Sequence, residues 1–391
     1  MEAVAPTDLR AFEDAPDLNR ETVIREVQTC ILDVPTIRQH KLSNTNVTHQ
    51  NYVHVAIRFE NGVTGYGEAS TLGGPRWSEE SVEAIKANID TYLGPALLDQ
   101  PGCKVEASNA LLAKAAKRNF AAKSALNTAI LDALGKTLDL SVATLLGGAS
   151  RDRISVIWAL ASGDIGQELE EAKAKIAARL FNRFKIKLGF ADIRSDLRRL
   201  ERLRAELPES TELIADINQA WSEADCHRWM PALEDMGLTL IEQPLEADDI
   251  EGMARLGQTT RIPLMLDEAV FTAREAMRGA NAGAGSVLSL KLCKHGSAQN
   301  LQRIAGIALA GGQELYGGCL LESSLGAAAH LAVFATLPEL QWGCEHFGPL
   351  ILSKDTTVDG LVYEDFHVHL PTGPGLGVTP DPQTTSAFAR T

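Results

Sequence analysis

Three short apolar runs, ELIAD at 212–216, LTLIE at 238–242 and PLMLD at 263–267, each end in a carboxylic acid. The acids Asp216, Glu242 and Asp267 are 26 and 25 residues apart, and Lys187 and Lys291 continue the series 29 residues before it and 24 residues after it. A repeat of about 25 residues has room for one strand, one helix and two short connections. The spacing therefore predicts consecutive βα units, each with a polar side chain at the end of its strand.

The alternation of apolar runs and helical segments extends in both directions from these acids. It gives eight candidate strands between residues 151 and 345, which predicts an α/β fold with a TIM-type (β/α)7-8 barrel. In such barrels the active site lies at the carboxyl ends of the strands, which is where the acids fall. The eight runs are 154–162, 184–189, 212–218, 238–243, 263–268, 287–293, 314–318 and 340–345.

The sequence before the barrel has a different texture, with strand-like alternation first and helical periodicity afterwards. An Asn61-Gly62 turn signal joins two of the strand-like runs, which favours an antiparallel meander. This order predicts an α+β domain. The strand-like runs are 21–32, 52–59 and 63–68, and the helical ones are 78–93 and 107–134, the second ending before Gly135.

The two ends of the chain carry little periodicity. The first residues are acidic and contain two prolines, so we expect a disordered or extended arm, and the last segment is too short to form a domain of its own. We expect that last segment to pack back on the first domain. The predicted organisation is an arm at 1–20, an α+β domain at 21–150, a barrel at 151–345 and a C-terminal segment at 346–391.

The charge of the chain limits its partners. Lys and Arg number 37 against 51 Asp and Glu, a formal net charge of −14, so neither nucleic acid nor an anionic membrane surface is an expected partner. The six cysteines form no Cys-x-x-Cys pair, and no run approaches the roughly 18 apolar residues of a membrane helix. We expect a cytoplasmic enzyme whose small anionic substrate binds at a locally positive site.

The three strand-end acids predict a metal site. Neighbouring strands lie about 4.8 Å apart, so Asp216, Glu242 and Asp267 converge, and their mutual repulsion demands a cation. Ligation by oxygen alone favours Mg²⁺ or Mn²⁺ over Zn²⁺. The alternative is three unrelated acids that cap the helices following their strands.

Two lysines on one strand and a third across the barrel predict acid–base chemistry. Lys185 and Lys187 flank Ile186, so the period of two places both on the inner face beside the acids. Lys291 follows a strand beyond the third acid. Neighbouring ammonium groups and a divalent cation would depress the pKa of such a lysine and make it a base near neutral pH. The alternative is a set of lysines that only form ion pairs with the carboxylates.

The constellation of acids and opposed lysines resembles the muconate-lactonizing branch of the enolase superfamily. The resemblance extends over nearly the whole chain, from 33–42 through 67–74 to 342–349. The motifs that carry it are Lys185-Ile-Lys187, Asp216-Ile-Asn218, Ile241-Glu-Gln-Pro244, Asp267-Glu268 and Lys291.

The resemblance implies a role for each site residue. The α+β domain would cap the barrel through loops at 35–42 and 71–77, and Asp216, Glu242 and Asp267 would hold Mn²⁺ or Mg²⁺. Lys187 would be the acid–base lysine, and Glu345 a proton donor or an orienting group. The family commonly forms homo-oligomers, often octamers, and we expect one here. We expect substrate contacts at Leu72, Trp77, Asn218, Cys293, His295 and Phe347.

The implied reaction is the cycloisomerisation of cis,cis-muconate, or of a chlorinated muconate, to a muconolactone in the degradation of aromatic compounds. One substrate carboxylate adds to a double bond, Lys291 and the cation stabilise the enolate, and Lys187, tuned by Lys185, protonates its α-carbon. Two alternatives remain: a racemase or epimerase acting on an N-acylamino acid, and a catalytically silent structural protein. Cys293, His295 and Ser297 depart from residues common in relatives, which bears on substrate preference.

Overall fold

The computed structural model describes residues 17–43 and 45–390. Most of the predicted arm therefore lies outside the described residues. The end of that arm is ordered, which corrects the prediction for residues 17–20: Asp17 accepts a hydrogen bond from the Asn19 N–H and caps a short helix, α1 (Leu18–Glu21).

The N-terminal domain starts with a three-stranded antiparallel sheet in the order β1-β2-β3. Its strands are β1 (Ile24–Lys41), β2 (Asn46–Phe59) and β3 (Thr64–Thr71). The first two are longer than predicted, because backbone pairing continues to the Lys41–Asn46 pair, past polar residues that break the apolar alternation. The turn at Asn61-Gly62 is present, with Gly62 at φ +84°.

Helices cover this sheet and correct one prediction. The periodicity at 107–134 is not a single helix, because Arg118 and Asn119 adopt positive φ angles of 47° and 50° and separate two helices. The second of these continues through Gly135 instead of ending there. The helices are α2 (Val82–Asn88), followed by a π-helical turn at Ile89–Leu93, then α3 (Gly94–Leu97), α4 (Val105–Ala115), α5 (Phe120–Leu138) and α6 (Val142–Leu145).

Two glycines allow β3 to lie directly on α5. A Cβ atom at Gly65 would collide with the backbone oxygen of Ala129, and one at Gly67 with that of Ala125. The two elements therefore meet backbone to backbone, which is a use of glycine that depends on its missing side chain. This contact fixes β3 and with it the start of the loop that follows at 71–77.

The barrel is a parallel sheet of seven strands in chain order. After β4 (Arg153–Ser155) come the barrel strands β5 (Trp158–Leu160), β6 (Arg183–Lys187), β7 (Glu212–Asp216), β8 (Leu240–Glu242), β9 (Leu264–Leu266), β10 (Val287–Leu290) and β11 (Glu314–Gly317). The helices around them are α7 (Ile165–Ala177), α8 (Ile193–Glu206), α9 (Glu223–Asp235), α10 (Ile250–Gly257), α11 (Ala273–Ala282), α12 (Leu292–His295), α13 (Ala298–Ala310) and α14 (Ser324–Phe334).

The predicted strands at the two edges of the barrel need correction. The run 340–345 is not a strand, because Gly343 turns at φ +68°; Cys344 alone forms parallel bridges to Val156 and Gly317 and closes the ring. The run 154–162 is divided between β4 and β5. The predicted fold class, a barrel of seven to eight strands with an N-terminal α+β domain, is confirmed.

The C-terminal segment touches both domains. It contains a 3-10 turn at Gly348–Leu350, then β12 (Tyr363–Glu364) and β13 (His367–His369), which form an antiparallel sheet with β4. The last helix, α15 (Pro382–Phe388), leads to a bridge between Ala389 and Leu32 of β1. The start of the segment also lies on β1, through the bridge between Thr36 and Leu352, whereas residues 363–369 pair with the edge of β4.

Six fully buried side chains fill the interior of the barrel below its mouth. Each lies on, or next to, a different barrel strand: Ile157, Ile214, Leu240, Met265, Val287 and Tyr316. No helix of the described residues is long and apolar enough to cross a membrane.

Candidate active site

The predicted acids and lysines meet at the carboxyl ends of the barrel strands. In the register of the sheet Lys187 lies opposite Asp216, and Asp216 lies opposite Glu242. Asp267 directly follows β9, and Lys291 directly follows β10. All five are buried, with at most 7% of their surface exposed. The parallel topology thus gathers residues that are far apart in sequence into one cluster.

Each acid of the cluster faces a lysine ammonium. The Nζ atom of Lys187 lies 2.5 Å from Oδ2 of Asp216, and Lys291 donates to Asp267. Lys185 lies 2.5 Å from Oε2 of Glu242, although not along the direction of a hydrogen bond. The lysines therefore supply the positive charge that balances the acids in this structure.

The carboxylates beside Lys187 and Lys185 raise the pKa values of both lysines, and the depression expected from a divalent cation stays a prediction. Burial lowers the pKa of Lys187, and Lys185 lowers it further, but the attractions of Asp216, Glu242 and Glu345 together outweigh both and leave it raised. Burial also lowers the pKa of Lys185. The attractions of Glu242 and Glu345 overcome this effect and leave the pKa well above its ordinary value. The paired carboxylates thus have a larger effect on these lysines than the neighbouring ammonium groups have.

Glu242 has the environment of a cation ligand. Neither of its carboxylate oxygens accepts a hydrogen bond from any residue that the structure describes. Burial raises the pKa of Glu242 well above its ordinary value, and the charges of Asp216 and Asp267 raise it further, against Lys185. A buried carboxylate among two others without donors is costly unless a cation joins it. The three acids therefore fit a hard divalent ion ligated by oxygen.

Glu345 is held as an acceptor. Its Oε1 accepts a hydrogen bond of 3.0 Å from the Cys319 N–H, and its Oε2 accepts one of 3.0 Å from the Tyr316 hydroxyl. Lys185 Nζ also lies 2.5 Å from Oε2. With donors on both oxygens, Glu345 has the geometry of an orienting carboxylate. This geometry favours the orienting role over the role of proton donor.

Two residues of the cluster were missed by sequence reasoning. Lys294 is fully buried, and its Nζ donates to Asp267 O (2.8 Å), Asp267 Oδ1 (2.8 Å) and Ser289 O (2.7 Å). Glu268 accepts a 3.0 Å hydrogen bond from Asn218, and burial and Asp267 raise its pKa to about 7. Lys294 follows Lys291 by about one helical turn, and this Lys291-x-x-Lys294 spacing is the signal that could have identified Lys294.

The predicted substrate contacts divide into two groups. The Trp77 ring lies 4.2 Å from Lys291 Nζ, and Asn218 accepts a 3.4 Å hydrogen bond from Lys187, so both adjoin the lysines. Phe347 stacks at 6.3 Å on His40, an N-terminal-domain residue whose pKa is lowered by burial and by Arg38 and the lysine pair.

The other three are buried with no such contact to the cluster. The His295 imidazole donates through Nδ1 to the Phe271 carbonyl at 3.0 Å, and burial lowers its pKa to about 3. Leu72 and Cys293 are 5% and 7% exposed. The Nε2 atom of His295 has no partner among the described residues, so the expectation that this residue contacts substrate stays a prediction.

The N-terminal domain is bonded to the barrel mouth on two sides. On one side the Lys41 N–H donates to Ala161 O at 2.8 Å, and Ser43 donates to Asn218 O at 3.3 Å. On the other side the Tyr52 hydroxyl donates to Leu321 O at 2.7 Å, and Glu68 accepts from the Ser323 N–H at 3.0 Å. The domain therefore covers the acids and lysines and limits the access of water to them.

A second buried group of ligand type lies beside the site. The ligand atoms of Glu322, His330 and His346 are within 4.8 Å of one another. His330 has no lone pair to offer, because its Nδ1 donates to Gly326 O at 2.8 Å and its Nε2 accepts from the Leu292 N–H at 2.9 Å. The group is therefore not a three-ligand metal site.

We expect His330 to make the fold sensitive to acid. Burial lowers its pKa from 6.5 to about 4, so the unfolded chain takes up the proton first. The stability that the neutral ring contributes is complete above pH 6.5 and is lost as the pH falls towards 4. The loss reaches about 2 kcal/mol in the free energy of unfolding near pH 4.5.

Urea unfolding of wild type and of His330→Gln at pH 7 and pH 4.5 measures this contribution. Glutamine keeps an acceptor for the Leu292 N–H but does not titrate. The wild type should lose more stability than the variant between the two pH values, and equal losses in both proteins would show that His330 is not responsible.

A closed parallel barrel with acids at three strand ends, opposed lysines and an α+β cap is the design of the enolase superfamily. The chain belongs to its mandelate racemase/muconate lactonizing enzyme family: the model of that family's N-terminal domain matches residues 25–147, and the enolase C-terminal domain-like model matches residues 167–384. The resemblance seen in the sequence is thereby confirmed.

Relatives of known name cover almost the whole chain. Muconate cycloisomerase 1 of Pseudomonas putida is 41% identical over 370 residues, which are 94% of this chain and 99% of the relative. A chloromuconate cycloisomerase of Delftia acidovorans is 38% identical over 94% of this chain and 99% of its own length.

Solved structures show the same similarity. The muconate lactonizing enzyme of Pseudomonas fluorescens, complexed with muconolactone, has a TM-score of 0.93 at 38% identity and covers 95% of this chain and 100% of its own. The 2-chloromuconate cycloisomerase of Rhodococcus opacus 1CP has a TM-score of 0.92 at 36% identity, with the same coverage.

Proposed function

We propose that this protein is a cycloisomerase that interconverts cis,cis-muconate, or a chlorinated muconate, and the corresponding muconolactone. The observation that carries the proposal is the buried cluster in which Lys187 and Lys291 flank Asp216, Glu242 and Asp267. It combines a place for a cation, two ammonium groups for a dianionic substrate, and a lysine able to move a proton.

The reaction transfers one proton between Lys187 and the substrate. A carboxylate oxygen of muconate forms a bond to the carbon of the distal double bond that is β to the other carboxylate. The π-electron pair of that double bond moves towards the other carboxylate and gives an enolate. Lys187 gives its proton to the α-carbon of that enolate and becomes a free amine, which removes the proton in the reverse direction. Lys291, on the opposite side of the acids, stabilises the negative charge as it develops.

Asp216, Glu242 and Asp267 would hold the divalent cation, which we propose is Mn²⁺ or Mg²⁺. When bound, it supplies Lewis-acid stabilisation of the substrate carboxylate on which charge collects. Lys185, held between Glu242 and Glu345, maintains a positive charge beside Lys187. The domain bonded over the barrel mouth excludes water from these groups.

The names of the relatives favour lactonisation over the racemisation of an N-acylamino acid. The relatives described above are muconate and chloromuconate cycloisomerases, and one solved neighbour is complexed with muconolactone. The arrangement of acids and lysines is common to both reactions, so the choice between them rests on this similarity.

Turnover assays test the proposal directly. Purified protein with Mn²⁺ should remove the ultraviolet absorbance of cis,cis-muconate, 2-chloromuconate or 3-chloromuconate, and the rates rank the three substrates. An N-acylamino acid followed by polarimetry serves as the comparison. Racemisation of that compound without loss of muconate would replace the proposal by the alternative.

Substrate preference should depend on Trp77, because its ring covers Lys291 at the wall of the site. A contact of one substituent with a pocket wall contributes about 1–3 kcal/mol of discrimination. We expect Trp77→Leu to change the ratio of kcat/KM for chlorinated over plain muconate about tenfold or more, with metal affinity unchanged.

The matched control is Trp229→Leu, which removes a partly buried tryptophan from the outer helix α9. It should leave the ratio as it is in wild type. If Trp229→Leu shifts the ratio and Trp77→Leu does not, the substrate pocket lies elsewhere.

We also propose that the protein is a cytoplasmic homo-oligomer, an octamer by family resemblance, that acts in the degradation of aromatic compounds. The net charge of −14 supports an assembly that binds neither nucleic acid nor a membrane. Light scattering on the purified protein measures the assembly, and a monomer at all concentrations would contradict it.

A further inference from the structure

Tyr316 is a polar residue in the apolar interior of the barrel. It lies on β11 and is fully buried together with Ile214, Leu240 and Met265, in the layer just below the acids and lysines. The hydroxyl of a buried tyrosine needs a partner, since an unpaired one costs as much as a lost hydrogen bond. The partner of Tyr316 therefore shows what the hydroxyl does.

The partner belongs to the site. The Tyr316 hydroxyl donates to Oε2 of Glu345 at 3.0 Å, the same oxygen that lies 2.5 Å from Lys185 Nζ. The ammonium of Lys185 also lies 4.5 Å from the centroid of the Tyr316 ring. One side chain thus contacts the cation through its ring and the anion that holds the cation through its hydroxyl.

We propose that Tyr316 is a positioning residue, which fixes Glu345 and through it the ammonium of Lys185 beside Lys187. This inference rests on the proposed function, because Lys187 is there the group that moves the proton. Tyr316 itself lies below the site and touches no reacting atom.

The hydroxyl matters because Glu345 has few other ties. Its Oε1 is held by the Cys319 N–H, and without Tyr316 its Oε2 would face Lys185 alone. Hydrogen bonds to buried charged groups are among the stronger ones in proteins. Without this bond Glu345 can rotate, and the ammonium of Lys185 moves with it.

A displaced ammonium acts on the reaction and not on substrate binding. Lys185 is two residues from Lys187 on the same inner face of β6, so its charge acts on the Nζ that gives and takes the proton. Displacements of about 1 Å at such groups are sufficient to slow a reaction strongly. Asp216, Asp267 and the wall residue Trp77 keep their lysine contacts, and Glu242 loses at most its contact with the Lys185 ammonium. The expected effect is therefore on kcat and not on KM.

The test compares two variants that each remove one buried hydroxyl. Tyr316→Phe keeps the ring over Lys185 and removes the bond to Glu345. The control, Thr22→Val, removes an equally buried hydroxyl that donates to the Leu18 carbonyl at 2.6 Å, in the N-terminal domain and away from the barrel mouth. Steady-state kinetics with muconate and Mn²⁺ titrations are measured for both variants and for wild type.

We expect Tyr316→Phe to lower kcat about tenfold or more, with KM and the Mn²⁺ Kd within about twofold of wild type. Thr22→Val should keep the wild-type kcat. A wild-type kcat in Tyr316→Phe, or an equal loss in both variants, overturns the inference while the proposed function stands. A wild-type protein that does not convert muconate overturns the proposed function instead.

Discussion

Removal of divalent cations with a chelator should lower muconate turnover by about a thousandfold or more, and Mn²⁺ or Mg²⁺ should restore it. The reason is the charge of the site: Asp216, Glu242 and Asp267 repel an anionic substrate unless a cation joins them. Lewis-acid stabilisation of a developing oxyanion is worth several kcal/mol, and the lysines alone do not replace it. The measurement is the ultraviolet assay on chelated and reloaded protein.

Chelation should leave the fold intact, because each acid also faces a lysine ammonium that balances its charge. Circular dichroism should therefore be unchanged while activity disappears. Asp216→Asn should weaken the binding of Mn²⁺ by calorimetry and should also keep the wild-type spectrum. Full turnover by metal-free protein would refute the assignment of the three acids.

The replacement Lys187→Ala should reduce kcat by about 10²–10⁴-fold, the usual contribution of a positioned acid–base group. In D₂O the wild type should place deuterium on the α-carbon of the lactone, and should also exchange it there in the reverse direction. The variant should do neither, because the side chain assigned to this proton transfer is absent.

Lys173→Ala is the matched control, since Lys173 is an exposed lysine that pairs with Glu206 on the outer helices. It should exchange deuterium at the wild-type rate. Wild-type exchange in Lys187→Ala would assign the proton to another group, of which Lys291 is the nearest alternative across the acids.

The barrel and its cluster could be predicted because topology fixes them. A period of about 25 residues determines that Asp216, Glu242 and Asp267 follow neighbouring strands, and parallel strands bring their ends to one edge whatever the details of packing. The predicted strand at 340–345 failed for a local reason. Gly343 takes a left-handed conformation that an apolar run does not reveal, and one bridging residue is enough to close the ring.

Contacts that depend on packing were not predictable in the same way. Ala, Leu and Lys residues around 116–119 favour a continuous helix, but the chain turns at Asn119 and Lys123 donates to the Ala116 carbonyl instead. Lys294 was missed because the period of two ends with β10, and only the short helix α12 returns its ammonium to Asp267.

The seam between β3 and α5, where Gly65 and Gly67 lie on the helix backbone, limits which positions a variant library can change. Gly65 and Gly67 allow no larger side chain, since any Cβ atom would strike the backbone of α5. The loop at 71–77, which carries Trp77 over Lys291, starts from this seam. A library that randomises the loop keeps its anchor, whereas one that reaches Gly65 or Gly67 should yield mostly insoluble protein. The two glycines thus mark the border between sequence that can be diversified for new substrates and sequence that cannot.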